Sequence, residues 1–227
     1  MTKRGIFLFF ISLFCFSPIF GQEIITAENY LQMVSEIYTN IRDYEAAVTL
    51  RSGSTDMVGR ASYLQPCFMR IDFSRPADQV IVFNGDVLII YLPEYRAVLN
   101  QDIKRKPGAS GVGVASAQGL SLLRRNYVSS FVTGPNPEPL DAGSSERVVK
   151  LRLTRRTASE GFREIILSIN PTTKLIRRVE GRTIGESELR LDFTNIRTNV
   201  GIPEARFAYD TPPSANMYNN FLFRDTN

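Results

Sequence analysis

The sequence predicts a mainly β (α+β) protein, folded as a strongly curved antiparallel sheet or an incomplete barrel. Three observations carry that expectation. About ten short segments are rich in β-branched and aromatic residues, several with period-two alternation. Compact turn signals separate them. Only two stretches have apolar residues at helical spacing.

The first helix is expected over residues 27 to 41. There Tyr30, Val34, Ile37, Tyr38 and Ile41 recur at helical spacing, and Thr26 is placed to cap the N-terminus. Strands follow at Tyr44 to Arg51 and Met57 to Leu64, around the turn Ser52-Gly53-Ser54. From Phe68 to Phe73, Met69, Ile71 and Phe73 share one face and Arg70 and Asp72 the other. Gln79 to Phe83 and Val87 to Tyr91 flank Asn84-Gly85-Asp86, a strong hairpin signal. Leu92-Pro93-Glu94 turns the chain into Arg96 to Gln101. Lys104 to Gly119 is basic and then rich in Gly, Ala and Ser, which reads as a loop. The second helix is expected from Ser121 to Val132, with Leu122, Leu123, Tyr127, Val128 and Phe131 in register. Gly134 to Ser145 reads as a Pro/Gly-rich surface loop. Strands resume at Arg147 to Arg155, Phe162 to Ile169, Leu175 to Thr183, Glu188 to Phe193 and Ala205 to Tyr209.

The N-terminus reads as a removable secretory signal. Lys3 and Arg4 precede an apolar run from Gly5 to Phe16 that only Ser12 interrupts, and Gly21 offers a small residue for cleavage. The run is short of the roughly 20 residues a membrane-spanning helix needs. Bulky Phe14 before Cys15 argues against acylation of that cysteine. The expected organisation is a signal peptide at 1–21 and one domain at 22–227. Removing Lys3 and Arg4 leaves 25 basic residues against 23 acidic ones, a formal charge of +2. Such balance speaks against nucleic-acid binding through bulk charge. Cys67 is then the only cysteine, expected to be free and buried among Pro66, Phe68 and Met69.

Several chemistries are closed to this chain. It contains no His, so a His-based triad, an imidazole metal site and a His general base are excluded. Gly108-Ala109-Ser110-Gly111-Val112-Gly113 lacks the Gly-Lys-Ser/Thr ending of a phosphate loop. Glu186 and Glu188 sit among basic residues, which favours ion pairing over acid–base catalysis. The pairs Arg124-Arg125, Arg155-Arg156 and Arg177-Arg178 read mainly as solvated faces and turns. No enzyme is expected. What stands out is apolar surface on both faces of the strands around Val80 to Tyr91. Either the sheet has a two-sided core with a helix on one side, or its concave face holds an apolar ligand.

The order of features resembles the periplasmic outer-membrane lipoprotein carrier family, the LolA-like proteins. A helix ending in Ile41-Arg42-Asp43-Tyr44 is followed by a Phe/Met-rich strand and then by Val82-Phe83-Asn84-Gly85-Asp86-Val87-Leu88-Ile89-Ile90-Tyr91-Leu92-Pro93. Near the end come Phe193-Thr194-Asn195-Ile196, Ile202 to Phe207, and Pro212-Pro213. The resemblance implies an unclosed antiparallel barrel with a helical lid, and a cavity between them for lipoprotein acyl chains. It places the lining on Met69, Ile71, Phe73, Val80, Val82, Leu88 and Ile90. It draws the lid from Val34 and Ile37 with Leu122, Leu123, Tyr127 and Phe131. It implies a periplasmic, monomeric carrier that needs no cofactor. Its cargo would come from an ATP-driven inner-membrane lipoprotein-releasing transporter and pass to an outer-membrane acceptor. A sensing or regulatory module for lipid or lipoprotein on the same fold is the alternative. One position departs from the family: Gln65 stands before Pro66 where many members have an arginine that helps fasten the lid.

Overall fold

The computed structural model describes residues 25–103 and 115–221. The expected signal segment and the glycine-rich stretch at 108–113 lie outside the described residues. Helix α1 spans Ala27–Thr39. It is followed by β1 (Asp43–Ser52), β2 (Thr55–Leu64), β3 (Phe68–Arg75), β4 (Val80–Phe83), β5 (Val87–Leu92) and β6 (Ala97–Asp102). Helix α2 (Ala117–Asn126) leads directly into β7 (Tyr127–Phe131). Then come β8 (Glu138–Pro139), β9 (Arg147–Arg155), β10 (Phe162–Ile169), β11 (Ile176–Thr183), β12 (Glu188–Thr198) and β13 (Asn216–Asn219).

These strands form one sheet in the order β13-β6-β5-β4-β3-β2-β1-β12-β11-β10-β9-β7, with β8 added beside β9. All pairs are antiparallel except β13 with β6. The two end strands of that path, β13 and β7, do not pair with each other, so the sheet curls without closing. Both helices pack on its concave face, in one apolar core with Ala46, Val48, Ala61, Ile71, Leu151, Leu167 and Phe193. The unclosed antiparallel curl with helices against it is the architecture the sequence predicts.

Helix α1 starts where expected. The Thr26 side chain accepts a hydrogen bond from the Asn29 backbone at 3.1 Å, satisfying one of the unpaired donors of the first turn. Its buried face is Ala27, Tyr30, Leu31, Val34 and Tyr38. Ile37 falls just beyond that arc and is 39% exposed, so it does not face the core as expected.

The second helix differs from its expected bounds. It begins four residues earlier, because the Ser116 hydroxyl caps it by accepting from the Gly119 backbone at 3.0 Å. It also ends at Asn126, and Tyr127 and Phe131 lie on a strand. A spacing of four residues fits both a helical turn and a two-residue strand period, so those two aromatics could not separate the alternatives. The stretch expected as a last strand, Ala205 to Tyr209, is instead a 3₁₀ turn at Glu204–Phe207. The expected surface loop at 134–145 contains β8 and buries Leu140. Asp43 is fully buried at the start of β1, where its carboxylate accepts from the backbone of Val200 and Gly201 and fastens the C-terminal segment to the sheet.

Candidate functional site

Cross-strand pairing decides which residues face the helices, because directly paired residues of an antiparallel sheet share a face. Ile71 pairs with Ala61 of β2 and Ile81 of β4. Met69 pairs with Phe83, which pairs with Leu88, and Ile81 pairs with Ile90. The concave face of these strands therefore carries Met69, Ile71, Phe73, Ile81, Phe83, Leu88 and Ile90.

Five of the seven lining residues expected from sequence share this face. Val80 and Val82 do not. Val82 pairs with Arg70 and Ile89, and Val80 pairs with Asp72 and Tyr91, all on the convex side. Their places inside are taken by Ile81 and Phe83. The convex side is apolar here because the C-terminal segment covers it. Phe207 is buried and its ring lies 5.6 Å from Phe68. Arg70 donates to the carbonyls of Arg206 and Ala208, and Arg206 pairs with Asp72. Tyr209 lies 6.1 Å from Tyr91.

Burial is graded along the concave face. Tyr44, Ala46, Tyr63, Val149, Ile169 and Ile176, at the end beneath α1, are almost wholly buried. Leu50, Met57, Ile81, Ile90, Leu99 and Leu191, toward the turns at 52–55, 92–97 and 183–188, are only half-buried. The interior thus has a sealed end and an apolar, partly open end.

The helices meet the sheet through apolar packing and few polar bonds. Val34 and Leu123 are buried against the core, with Leu120 completely buried beside them and Leu122 half-buried. Phe131 packs edge-on to Tyr30 at 6.0 Å from β7. Tyr127 is buried and donates to the Phe162 carbonyl at 3.2 Å. The Tyr38 hydroxyl accepts from the Ile176 backbone at 3.0 Å, and Ser129 donates to Glu28 at 3.2 Å.

No group of three or more Cys, Asp or Glu side chains able to hold a metal occurs among the described residues. Glu186 and Glu188 are ion-paired, with Arg163 at 2.6 Å and Arg182 at 3.1 Å. Cys67 is a free, half-buried thiol rather than a fully buried one, and burial raises its pKa. No helix among the described residues is long and apolar enough to cross a membrane.

The family model described as outer membrane lipoprotein carrier protein LolA matches residues 54–210. The chain belongs to the LolA family. An outer-membrane lipoprotein carrier protein from Bordetella avium (strain 197N) is 21% identical over 186 residues, which cover 81% of this chain and 82% of that protein. An uncharacterized conserved protein from Thermus thermophilus superposes with a TM-score of 0.54 at 15% identity, over 83% of this chain and 98% of that one. That likeness is one of fold. A LolA superfamily protein from Nitrosomonas europaea aligns over 82% of this chain and 98% of its own, with 14% identity and a TM-score of 0.42.

In this LolA-family chain the position before Pro66 carries an amide rather than a guanidinium. Gln65 Nε2 donates to the carbonyl of Thr39, the last residue of α1, at 2.9 Å. The other terminal carbonyls of the helix are met locally: Asn40 serves Glu36 and Ile37, and the Ile41 backbone serves Tyr38. Gln65 therefore satisfies the last one and ties α1 to the β2–β3 turn. Gln65→Ala should cost about 1 kcal/mol of stability in urea unfolding and speed amide exchange in the last turn of α1. Unchanged exchange there would show that the side chain does not hold the helix.

Proposed function

We propose that this chain is a periplasmic carrier that takes the acyl chains of lipoproteins into the apolar interior of its curled sheet and ferries them from the inner to the outer membrane. The observation that carries the proposal is the continuous apolar concave face roofed by two helices with few polar ties. In the same proposal residues 1–21 are a signal peptide and residues 22–227 are the mature domain. The lining is Met69, Ile71, Phe73, Leu88 and Ile90, joined by Ile81 and Phe83. Val34, Leu120, Leu122 and Leu123 form the underside of the lid, with Tyr127 and Phe131 along its edge.

Bringing one CH₂ of an acyl chain into water costs about 0.8 kcal/mol, so a long chain costs on the order of 10 kcal/mol. A lipoprotein bearing several chains needs an escort across an aqueous gap. Transfer between two membranes asks for shelter and release rather than bond chemistry, and the chain is read as a binding protein, not an enzyme. An ATP-driven inner-membrane transporter would load it and an outer-membrane acceptor would unload it.

The test is release of an acylated lipoprotein from inner-membrane vesicles that contain the transporter and ATP. Added protein should carry the lipoprotein into the soluble fraction as a stoichiometric complex detected by mass spectrometry. Lipoprotein that stays entirely with the vesicles, while a known carrier of the family releases it, would refute the proposal.

A further inference from the structure

Tyr44, at the start of β1, is 2% exposed. Its ring stacks on Tyr63 at 5.1 Å. The Tyr63 hydroxyl donates to the Pro66 carbonyl, and that of Tyr38 accepts from the Ile176 backbone. The Tyr44 hydroxyl is buried with no hydrogen-bond partner among the described residues. Burial holds its pKa well above the ordinary tyrosine value, so the hydroxyl keeps its proton and remains a donor.

The same residue borders a narrow crevice shared with Tyr38, Ile41, Ala115, Leu175 and Phe193. Ile41 and Tyr38 close the end of α1, Ala115 lies just before α2, and Phe193 belongs to the concave face of the sheet. The space thus lies on the seam where the two helices meet the sheet. In the closed arrangement it is too narrow to seat a water molecule. A donor buried without a partner costs the closed state stability, and such a group calls for an explanation.

We propose that the Tyr44 hydroxyl is a hydrogen-bond donor to the carbonyl oxygen at the head of a bound acyl chain, the ester carbonyl of an acylglycerol or the carboxyl of a fatty acid. The site rests on the carrier reading and adds a polar anchor to an otherwise apolar interior. Movement of the helices away from the sheet widens the seam and admits the carbonyl. The anchor fixes the depth of the chain and offsets the cost of the orphaned donor only in the loaded state. The hydroxyl is also one group whose removal leaves the packing intact, since Phe keeps the ring stacked on Tyr63.

Three ligands separate the possibilities in competition with a fluorescent fatty acid: palmitate, monopalmitoylglycerol and 1-O-hexadecylglycerol, whose ether lacks the carbonyl. Wild-type protein should bind the ester about threefold to tenfold more tightly than the ether, the range one net hydrogen bond supplies. Tyr44→Phe should bring the ester down to the ether's affinity and leave the ether unchanged. Palmitate falling alone would assign the site to free carboxyls, and palmitate and ester falling together to the carbonyl in general. Lipid-free Tyr44→Phe should melt no lower than wild type, because no bond is lost. Equal losses for ester and ether, no loss for either carbonyl ligand, or a lower melting temperature of the lipid-free variant would overturn the site. If wild type binds none of the three, the carrier reading falls and takes the site with it. Tight binding of the ligands with no loss for palmitate or ester in Tyr44→Phe leaves the carrier reading standing and removes this site alone.

Discussion

Ile81→Glu should weaken binding of a fluorescent fatty acid by at least about a hundredfold, while Val80→Glu, one residue earlier on the same strand, should leave it within about threefold. Ile81 pairs with Ile71 and Ile90, so its side chain joins the apolar concave face. A carboxylate there is stripped of water when an acyl chain packs against it. The penalty for an uncompensated buried charge then exceeds the few kcal/mol a side-chain contact contributes. Ile81 is half-buried, near the open end of the curl, so the variant can still solvate the charge when no ligand is bound and should fold. Val80 faces outward opposite Asp72, which already has Arg70 and Arg206 beside it. A second carboxylate meets cations there and lies on the wrong side of the sheet to touch the ligand. Thermal melts of both variants, followed by far-UV circular dichroism, verify folding before titration. Equal binding losses would show that the two faces are not functionally distinct and would leave the concave face as core alone.

The contrast between these two residues also shows where the sequence was legible. On β3 polar and apolar residues alternate, so spacing alone places Met69, Ile71 and Phe73 on one face. On β4 every residue is apolar, because Ile81 and Phe83 meet the interior while Val80 and Val82 lie under the C-terminal segment. A strand covered on both sides carries no alternation to read, and its register comes only from the partner strand. The same limit applies to Ile37, which lies one step past the buried arc of α1, and to Tyr127 and Phe131, whose spacing suits helix and strand equally. Gln65 was legible as a position that departs from the family. Its bond to Thr39 was not, because it joins residues 26 positions apart. The buried Tyr44 hydroxyl leaves no trace in the sequence: a tyrosine at the start of a strand looks the same with or without a partner.

Arg178→Met should lower stability at neutral pH by about 2–3 kcal/mol and the melting temperature by about 5–10 °C. Spacing suggested a solvated basic pair at Arg177-Arg178, yet the Arg178 side chain is only 3% exposed. It lies on the convex face of β11, where its guanidinium donates to both Asp141 oxygens at 2.7 and 2.9 Å and to Asp192 at 2.7 Å. Burial opposes its charge, and the bonds to Asp141 and Asp192 more than offset that, so it stays protonated. Asp141 belongs to the segment between β8 and β9, so the ion pair also fastens that segment to the sheet. Removing the cation strands the carboxylates, but Asp192 keeps Arg177 at 3.2 Å and Arg190 at 2.8 Å. Asp141 is half-exposed and regains water. The loss therefore falls below the 3–5 kcal/mol typical of breaking a fully buried pair. Acid supplies the second test. The hydrogen bond from Arg178 lowers the Asp141 pKa to about 2 from an ordinary value near 3.8. A depressed carboxylate pKa contributes stability that is whole above about pH 4 and is lost as the pH falls through about 2. Urea unfolding between pH 5 and pH 2 should show that part of the decline shrink in Arg178→Met, as Asp141 returns toward its ordinary value. A variant as stable as wild type at neutral pH, with an unchanged acid profile, would show that the buried arginine only fills space and that apolar packing alone holds the segment against β11.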